Sequence, residues 1–551
     1  MKKKLFSLVA IFMAAATVCL VANGAAGSSS AVKTPNDVKK EEVLDVNYEE
    51  TISYHEGDIK VTEKGAKGDG STNDAAAINA AMKAAKADGK TGVVFFPKGT
   101  YRITSKLDSV NSNVTFAFEK GAMIHVDNGG SIYYRGYLDA GFYQVFKVTG
   151  TGKLTGILTN PYAMPQWFGA KGDGKTDDSA AFRQALAVCT ELAIPYTSKG
   201  YVISEIEVRS NSRIYGCDSK KPILIGGGKD KNMFIIGNGA TKIKIHNLSL
   251  DMTKSGKSTC FYFDAKTVGV NYIEIRGIDT VGAYHVFRDA QVPKSKAVYN
   301  INIVLDNINC KNTRERAIYV GNFWGFIFFR NMKFDNSGIS SLGVAGNYPA
   351  VHFSQNEGAV IQNITVIGSG NSANTSEHGM YYGGNVATWV DGFTVKNVGG
   401  DGIYIDNGFE LYFSNLKMEK MYGNGLNFVG TGIVQVDHST ITGRGGSGTG
   451  KNGIRLSGTR LANISYVTVT DMQGSGLLLT DKAKQTVVTD LVCTDNNEYG
   501  YCEDSGNRNS CTNATLSGNA VQYKQSSSSS IGGNLKINGT TVESLSGSAT
   551  K

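Results

Sequence analysis

A short strand-like phrase returns eight times in the second half of this chain. It starts at residues 317, 350, 379, 402, 425, 453, 476 and 500, at intervals of 23 to 33 residues. A second phrase is interleaved with it, starting at Ile245, Leu305, Phe329, Ile361, Phe413 and Cys511. Its third position is always asparagine: Asn247, Asn307, Asn331, Asn363, Asn415 and Asn513. Such a period marks a solenoid, in which one repeat cannot bury its apolar face but a stack of repeats can. A chain of 551 residues is too long for one ordinary globular core, whereas a solenoid grows coil by coil. Asparagine tolerates left-handed backbone and hydrogen-bonds along a stack, so the aligned asparagines predict a turn ladder. The pattern predicts an all-β, parallel β-helical fold.

A different phrase occurs twice near the start. Gly65 to Asp74 returns as Gly169 to Asp178. Each copy leads into an Ala-rich amphipathic segment, then an apolar stretch, a proline and a tyrosine (Pro97 and Tyr101, Pro195 and Tyr201). The glycines allow a tight loop, and Thr72 or Thr176 with its Asp/Asn neighbour is expected to cap the helix that follows. Residues 168–186 resemble the N-terminal signature of the pectate-lyase-like, right-handed parallel β-helix superfamily, of the rhamnogalacturonase/epimerase type. The resemblance implies a right-handed, single-stranded β-helix with short N-terminal capping helices. Members include rhamnogalacturonases, polygalacturonases, β-1,3-glucanases and phage tailspike depolymerases, so the signature implies fold more than substrate.

The expected organisation is a signal peptide (1–25), a polar linker (26–55), a first cap with a short β-helical stub (56–160), the main β-helix (161–522), and a Ser-rich linker and tail (523–551). Lys2-Lys3-Lys4 followed by an apolar run to Ala22 reads as a secretory leader, with an uncleaved anchor as the minor alternative. The net charge is +8, and three of those charges lie in the leader. The rest are spread along the chain without the dense basic run of a nucleic-acid binder, and suit an acidic polysaccharide. Seven cysteines follow the leader without paired spacing and read as buried core residues, with one local bridge among Cys493, Cys502 and Cys511 as the alternative.

Period-two alternation sends Tyr319, His352, Tyr381, Tyr404, Asn427, Arg455 and Leu478 outward. With coils about 4.8 Å apart these form one external column. Glu315, Arg316, Glu377, His378 and Asp401 flank it at the preceding turn, and Asp406 lies just beyond. Aromatic rings suit sugar faces, so the column is expected to line a groove for an extended polymer. Two chemistries fit. In β-elimination, Tyr381 or Tyr404 with His352 or His378 supplies base and acid, while Arg455 or Arg316 neutralises a uronate carboxylate. In hydrolysis two carboxyls flank the bond, from Glu377, Asp401 and Glu315. The catalytic candidates are therefore Tyr381, His378, Asp401, Glu377 and Arg455. The substrate-binding candidates are His352, Tyr404, Tyr319, Asp406, Arg316 and Glu315. Each of these also has a purely structural reading as a packing residue or surface ion pair.

The polygalacturonase motif set and the Asp-Pro-His signature of alginate epimerases are absent. No Asp cluster matches the calcium sites of classical pectate lyases; no metal ligands are assigned, and a Ca2+ requirement stays open. The reading is a secreted or cell-surface enzyme that cleaves an extracellular polysaccharide, with elimination ahead of hydrolysis and a non-catalytic glycan-binding adhesin as the alternative class. The expected partner is the polysaccharide, with neither nucleic acid nor, after leader cleavage, membrane. A monomer or a homotrimer is expected.

Overall fold

A computed structural model describes residues 51–551, apart from 87–90, 291, 293–297, 337–347, 369–376, 445–450, 547–548 and 551. The leader and most of the polar linker lie outside the described residues.

The two copies of the cap phrase build the same hydrogen-bond pattern. Asp69 accepts the backbone N–H groups of Ser71 and Thr72 and the Thr72 hydroxyl, and Asp173 does the same for Lys175 and Thr176. Asp74 accepts the N–H groups of Lys67 and Gly68, and Asp178 those of Lys171 and Gly172. Tyr101 donates to the Pro97 carbonyl at 2.7 Å and Tyr201 to that of Pro195 at 2.9 Å. The threonines therefore do not cap the helices α1 (Ala75–Ala85) and α2 (Ser179–Val188), because their hydroxyls are held by the preceding aspartates. Asn73 and Asp177 reach the first helical N–H groups in their place.

After the first cap the chain winds two four-stranded parallel sheets from residues 59–148. From Asp173 the strands form one continuous ladder of thirty-two among the described residues, and its pairings are parallel until the last turns. There Ile531–Ile537 pairs antiparallel with Thr540–Ser546, and Val521–Gln525 with Ala549–Thr550. A single apolar cluster runs from Val61 to Leu535 through both parts. This is a right-handed parallel β-helix.

The register explains the stacking. Ile318, Val351, Met380, Ile403, Leu426, Ile454 and Leu477 lie opposite one another coil by coil, all buried. Each such side chain contributes about 1.5–3 kcal/mol by burial. Slipping one residue would turn this whole row outward, which pins the register. All six aligned asparagines take φ between 53° and 57°, in the left-handed region. They link along the stack, as in the Asn363 amide donating to Asn331 at 3.1 Å and Asn534 to Asn513 at 2.7 Å. Gly277 and Gly392 fill the same position with φ of 63° and 69°. The seven described cysteines are free and buried, so the bridge envisaged among Cys493, Cys502 and Cys511 is not formed.

Candidate functional site

The outward column forms in the register expected. Tyr319, His352, Tyr381, Tyr404, Asn427, Arg455 and Leu478 are successive partners, and all but the buried Asn427 are partly exposed. Strand spacing brings the rings together. His352 stacks on Tyr381 at 4.7 Å and 29°, Tyr381 on Tyr404 at 5.4 Å and 19°, and His378 on Tyr404 at 5.2 Å and 15°. Tyr319 meets His352 edge-on at 5.2 Å. Rings this close and nearly parallel overlap face to face. Their faces are thus turned to each other, the tyrosines stay partly exposed at their edges, and His352 Nε2 lies 3.2 Å from the Ser354 hydroxyl. The expectation of open ring faces for sugar stacking is corrected on that ground.

The turn beside the column holds a second ladder. His378 Nδ1 accepts the backbone N–H of Asp401 at 3.0 Å. Asp401 Oδ1 accepts the N–H of Asn424 and its side-chain amide at 2.9 Å, and Oδ2 accepts the Asn427 amide at 2.9 Å. Asn424 Oδ1 takes the N–H of Asn452, and Asn452 Oδ1 that of Ser475. Glu377 accepts the Gly399 N–H at 2.9 Å. Glu377 and Asp401 are only 5% and 6% exposed. Asp401, with three donors on its two oxygens, has little capacity left for a proton in transit.

The remaining candidates fall into two groups along the column. Arg455 donates to Asn427 and to Asp481, each at 3.2 Å, so its charge is partly matched. Asp406 accepts the Asn407 amide at 2.8 Å and, after burial, raises the pKa of Tyr381 and Tyr404. Toward the N-terminal end Arg316 pairs with Glu315 and lies over the rings of Tyr319 and Tyr348 at 4.4 and 4.3 Å. His352 is held at a pKa of about 4, first by burial and then by the charges of Arg316 and His378. Burial also lowers that of His378, against the opposing pull of Asp401.

Four residues of this face were missed from the sequence: Tyr262, Tyr284, His285 and Arg288. Tyr262 and Arg288 continue the outward column, with Tyr262 opposite Arg288 and Arg288 opposite Tyr319. His285 Nδ1 lies 3.0 Å from the Arg316 carbonyl and its Nε2 3.8 Å from Glu315. Val286 to Asp289 does not alternate by polarity, because the inward position after Arg288 is the buried Asp289, so period two does not reveal this coil. Among the described residues no three His, Cys, Asp or Glu side chains converge as a metal site, and no helix is long and apolar enough to cross a membrane.

Residues 59–122 match the family described as rhamnogalacturonase A/epimerase, pectate lyase-like, and residues 378–542 match the right handed beta helix region. Those two segments resemble pectate-lyase-like and right-handed β-helix families. A capsule K30/K69-specific depolymerase of Klebsiella phage K64-1 is similar, with 23% identity over 189 residues. The match takes in 34% of this chain and 23% of that relative, so less than a quarter of the phage protein is represented. Tailspike protein 3 of bacteriophage CBA120 aligns at 14% identity over 68% of this chain and 57% of its own, with a TM-score of 0.38. The catalytic domain of a GH87 α-1,3-glucanase in complex with tetrasaccharides aligns at 14% identity over 69% of each chain, with a TM-score of 0.40. The Streptococcus pneumoniae surface protein and adhesin PfbA aligns at 13% identity over 77% of this chain and all of its own, with a TM-score of 0.28.

Proposed function

We propose that this chain is a carbohydrate-active enzyme that cleaves an extracellular, acidic polysaccharide along the Tyr319–Arg455 face by β-elimination. The observation that carries the reading is the contrast between the two sets of candidate groups. Asp401 accepts three amide hydrogen bonds and Glu377 the Gly399 N–H in a buried turn, whereas Tyr381 and Tyr404 are partly exposed and His352, among the described residues, shares its Nε2 only with the Ser354 hydroxyl. The depolymerase similarity supports a polysaccharide substrate.

The roles follow from proton chemistry. His352, neutral at physiological pH, takes the proton from the carbon next to the carboxyl. The electron pair left behind forms a carbon–carbon double bond as the β carbon–oxygen bond breaks. Tyr381 protonates the leaving oxygen; its raised pKa keeps the phenol in the donor form. Arg316, one coil before His352, offsets the charge that builds on the carboxylate in the transition state. His378 has committed its Nδ1 lone pair to Asp401, so its role is to donate from Nε2 to substrate. Tyr404, Tyr319, Asp406, Arg455 and Glu315 shape and charge the groove. Glu377 and Asp401 hold the turns.

The purified protein, incubated with pectic, alginate, glucan and glycosaminoglycan polymers, tests this. Rising ultraviolet absorbance together with new reducing ends is the expected result. Reducing ends without absorbance would move the assignment to hydrolysis, with Glu377, Asp401 and Glu315 as the carboxylates to examine first. Neither signal would favour a glycan-binding surface protein.

A further inference from the structure

The outward column does not end where the reacting groups do. Two coils before His352 the same position is occupied by Arg288, and one coil before that by Tyr262. The Arg288 guanidinium lies over the Tyr319 ring, 5.6 Å from its centroid. Its position also makes it a charge felt by Tyr262, Tyr284 and His285 around it. The neighbouring Asp289 is fully buried, where it accepts the Gly321 N–H at 2.9 Å and the Trp324 indole N–H at 3.3 Å. Arg288 Nε has no hydrogen-bond partner among the described residues. The other guanidinium on Tyr319, that of Arg316, shares the unpartnered Nε but pairs with Glu315 through Nη1.

We propose that Arg288, flanked by Tyr262 and Tyr319, is an anion-binding subsite that takes a carboxylate of the polysaccharide two coils from the reacting centre. The inference rests on the reading that this face binds a polymer, and deepens it by fixing an acidic sugar at a stated position. Guanidinium suits the task because its planar fork meets a carboxylate through two parallel hydrogen bonds, which a lysine cannot do. Tyr262 and Tyr319 lie one coil to either side of Arg288 and bring phenol donors to the same column.

The test is affinity electrophoresis of the full protein through gels holding polygalacturonate, alginate or hyaluronan, each beside its carboxyl-reduced counterpart. The wild type is expected to be retarded by at least one uronate polymer and much less by the reduced form. Arg288→Gln is expected to weaken that binding about tenfold, the loss of one good contact. Arg288→Lys, which keeps the charge and the bulk, should weaken it several-fold. Lys417→Gln, on another face and paired with Glu419, removes the same charge and should bind as wild type does. Both Arg288 variants binding like wild type would overturn the subsite, as would equal retardation by reduced polymer or none by any uronate polymer. Binding that depends on Arg288 without any cleavage would leave the subsite standing and defeat the proposed reaction. Cleavage indifferent to Arg288→Gln would do the reverse.

Discussion

The imidazole of His378 accepts a hydrogen bond at Nδ1 from the backbone N–H of Asp401, one coil further along, at 3.0 Å. The same contact recurs with Asp401 and Asn424, Asn424 and Asn452, and Asn452 and Ser475. The histidine is thus the first of four rungs in a ladder where each side chain takes up the backbone donor of its counterpart. A backbone N–H can only donate, so neutral His378 carries its proton on Nε2. Nitrogen-15 NMR of the ring should find Nδ1 unprotonated; a protonated Nδ1 in the neutral form would contradict the proposed role.

Asp401 accepts three hydrogen bonds in a buried turn. Asp401→Ala leaves the donors of Asn424 and Asn427 unmatched, and should lower stability by about 2–4 kcal/mol. A fall in the urea midpoint measures it. Asp401→Asn, which keeps an acceptor but brings an amide toward other amides, should recover part of that loss.

Turnover separates the two chemistries. His352→Ala and Tyr381→Phe should each cut kcat by about 10²–10⁴, with KM changed far less, since proton transfer is lost and most groove contacts remain. Glu377→Gln keeps an acceptor for the Gly399 N–H and should retain most of the rate. A loss beyond about a hundredfold in that variant would return Glu377 to the chemistry and favour hydrolysis.

The pH profile follows from His352. Its pKa of about 4, lowered first by burial, leaves the base unprotonated in the free protein well below neutrality. The raised pKa of Tyr381 keeps the acid protonated on the alkaline side. A plot of kcat/KM should therefore be broad, flat from about pH 5.5 to 8, with its acid limb near pH 4. A bell with an alkaline limb below pH 7 would fit a carboxylic acid donor and contradict the assignment.

Stability should fall in acid over a defined window. His285 and His352 both titrate near 4 when folded, chiefly through burial, against an ordinary value of 6.5. Between those values the unfolded chain binds more protons. Stability is then fully present above about pH 6.5 and is lost as pH falls toward 4, by at most about 3 kcal/mol per ring. Replacing each ring with Phe should flatten that slope in urea titrations.

The asparagine ladder offers a backbone test. Asn363 has a φ of 53° and donates to Asn331. Asn363→Ala should cost about 1–2 kcal/mol from left-handed strain and the lost bond. Asn363→Gly should cost less, because the next coil already uses Gly392 at that position.

The order of residues alone settled the solenoid, its register and its outward column. A period of two decides which side chains leave the coil, and the repeat length decides which of them meet. The asparagine bends were legible for the same reason, since few residues accept that backbone. The chemistry of the turn was not. Glu377, His378 and Asp401 read as catalytic candidates beside the column, yet all three are largely buried and engaged by donors of the following coil. Those partners lie 22 to 26 residues away, and which atom of a side chain meets which backbone donor depends on how the turns stack. Ring orientation was hidden as well. Spacing placed the tyrosines one above another, but the packing of neighbouring rings turned their faces inward upon each other and left their edges to the groove.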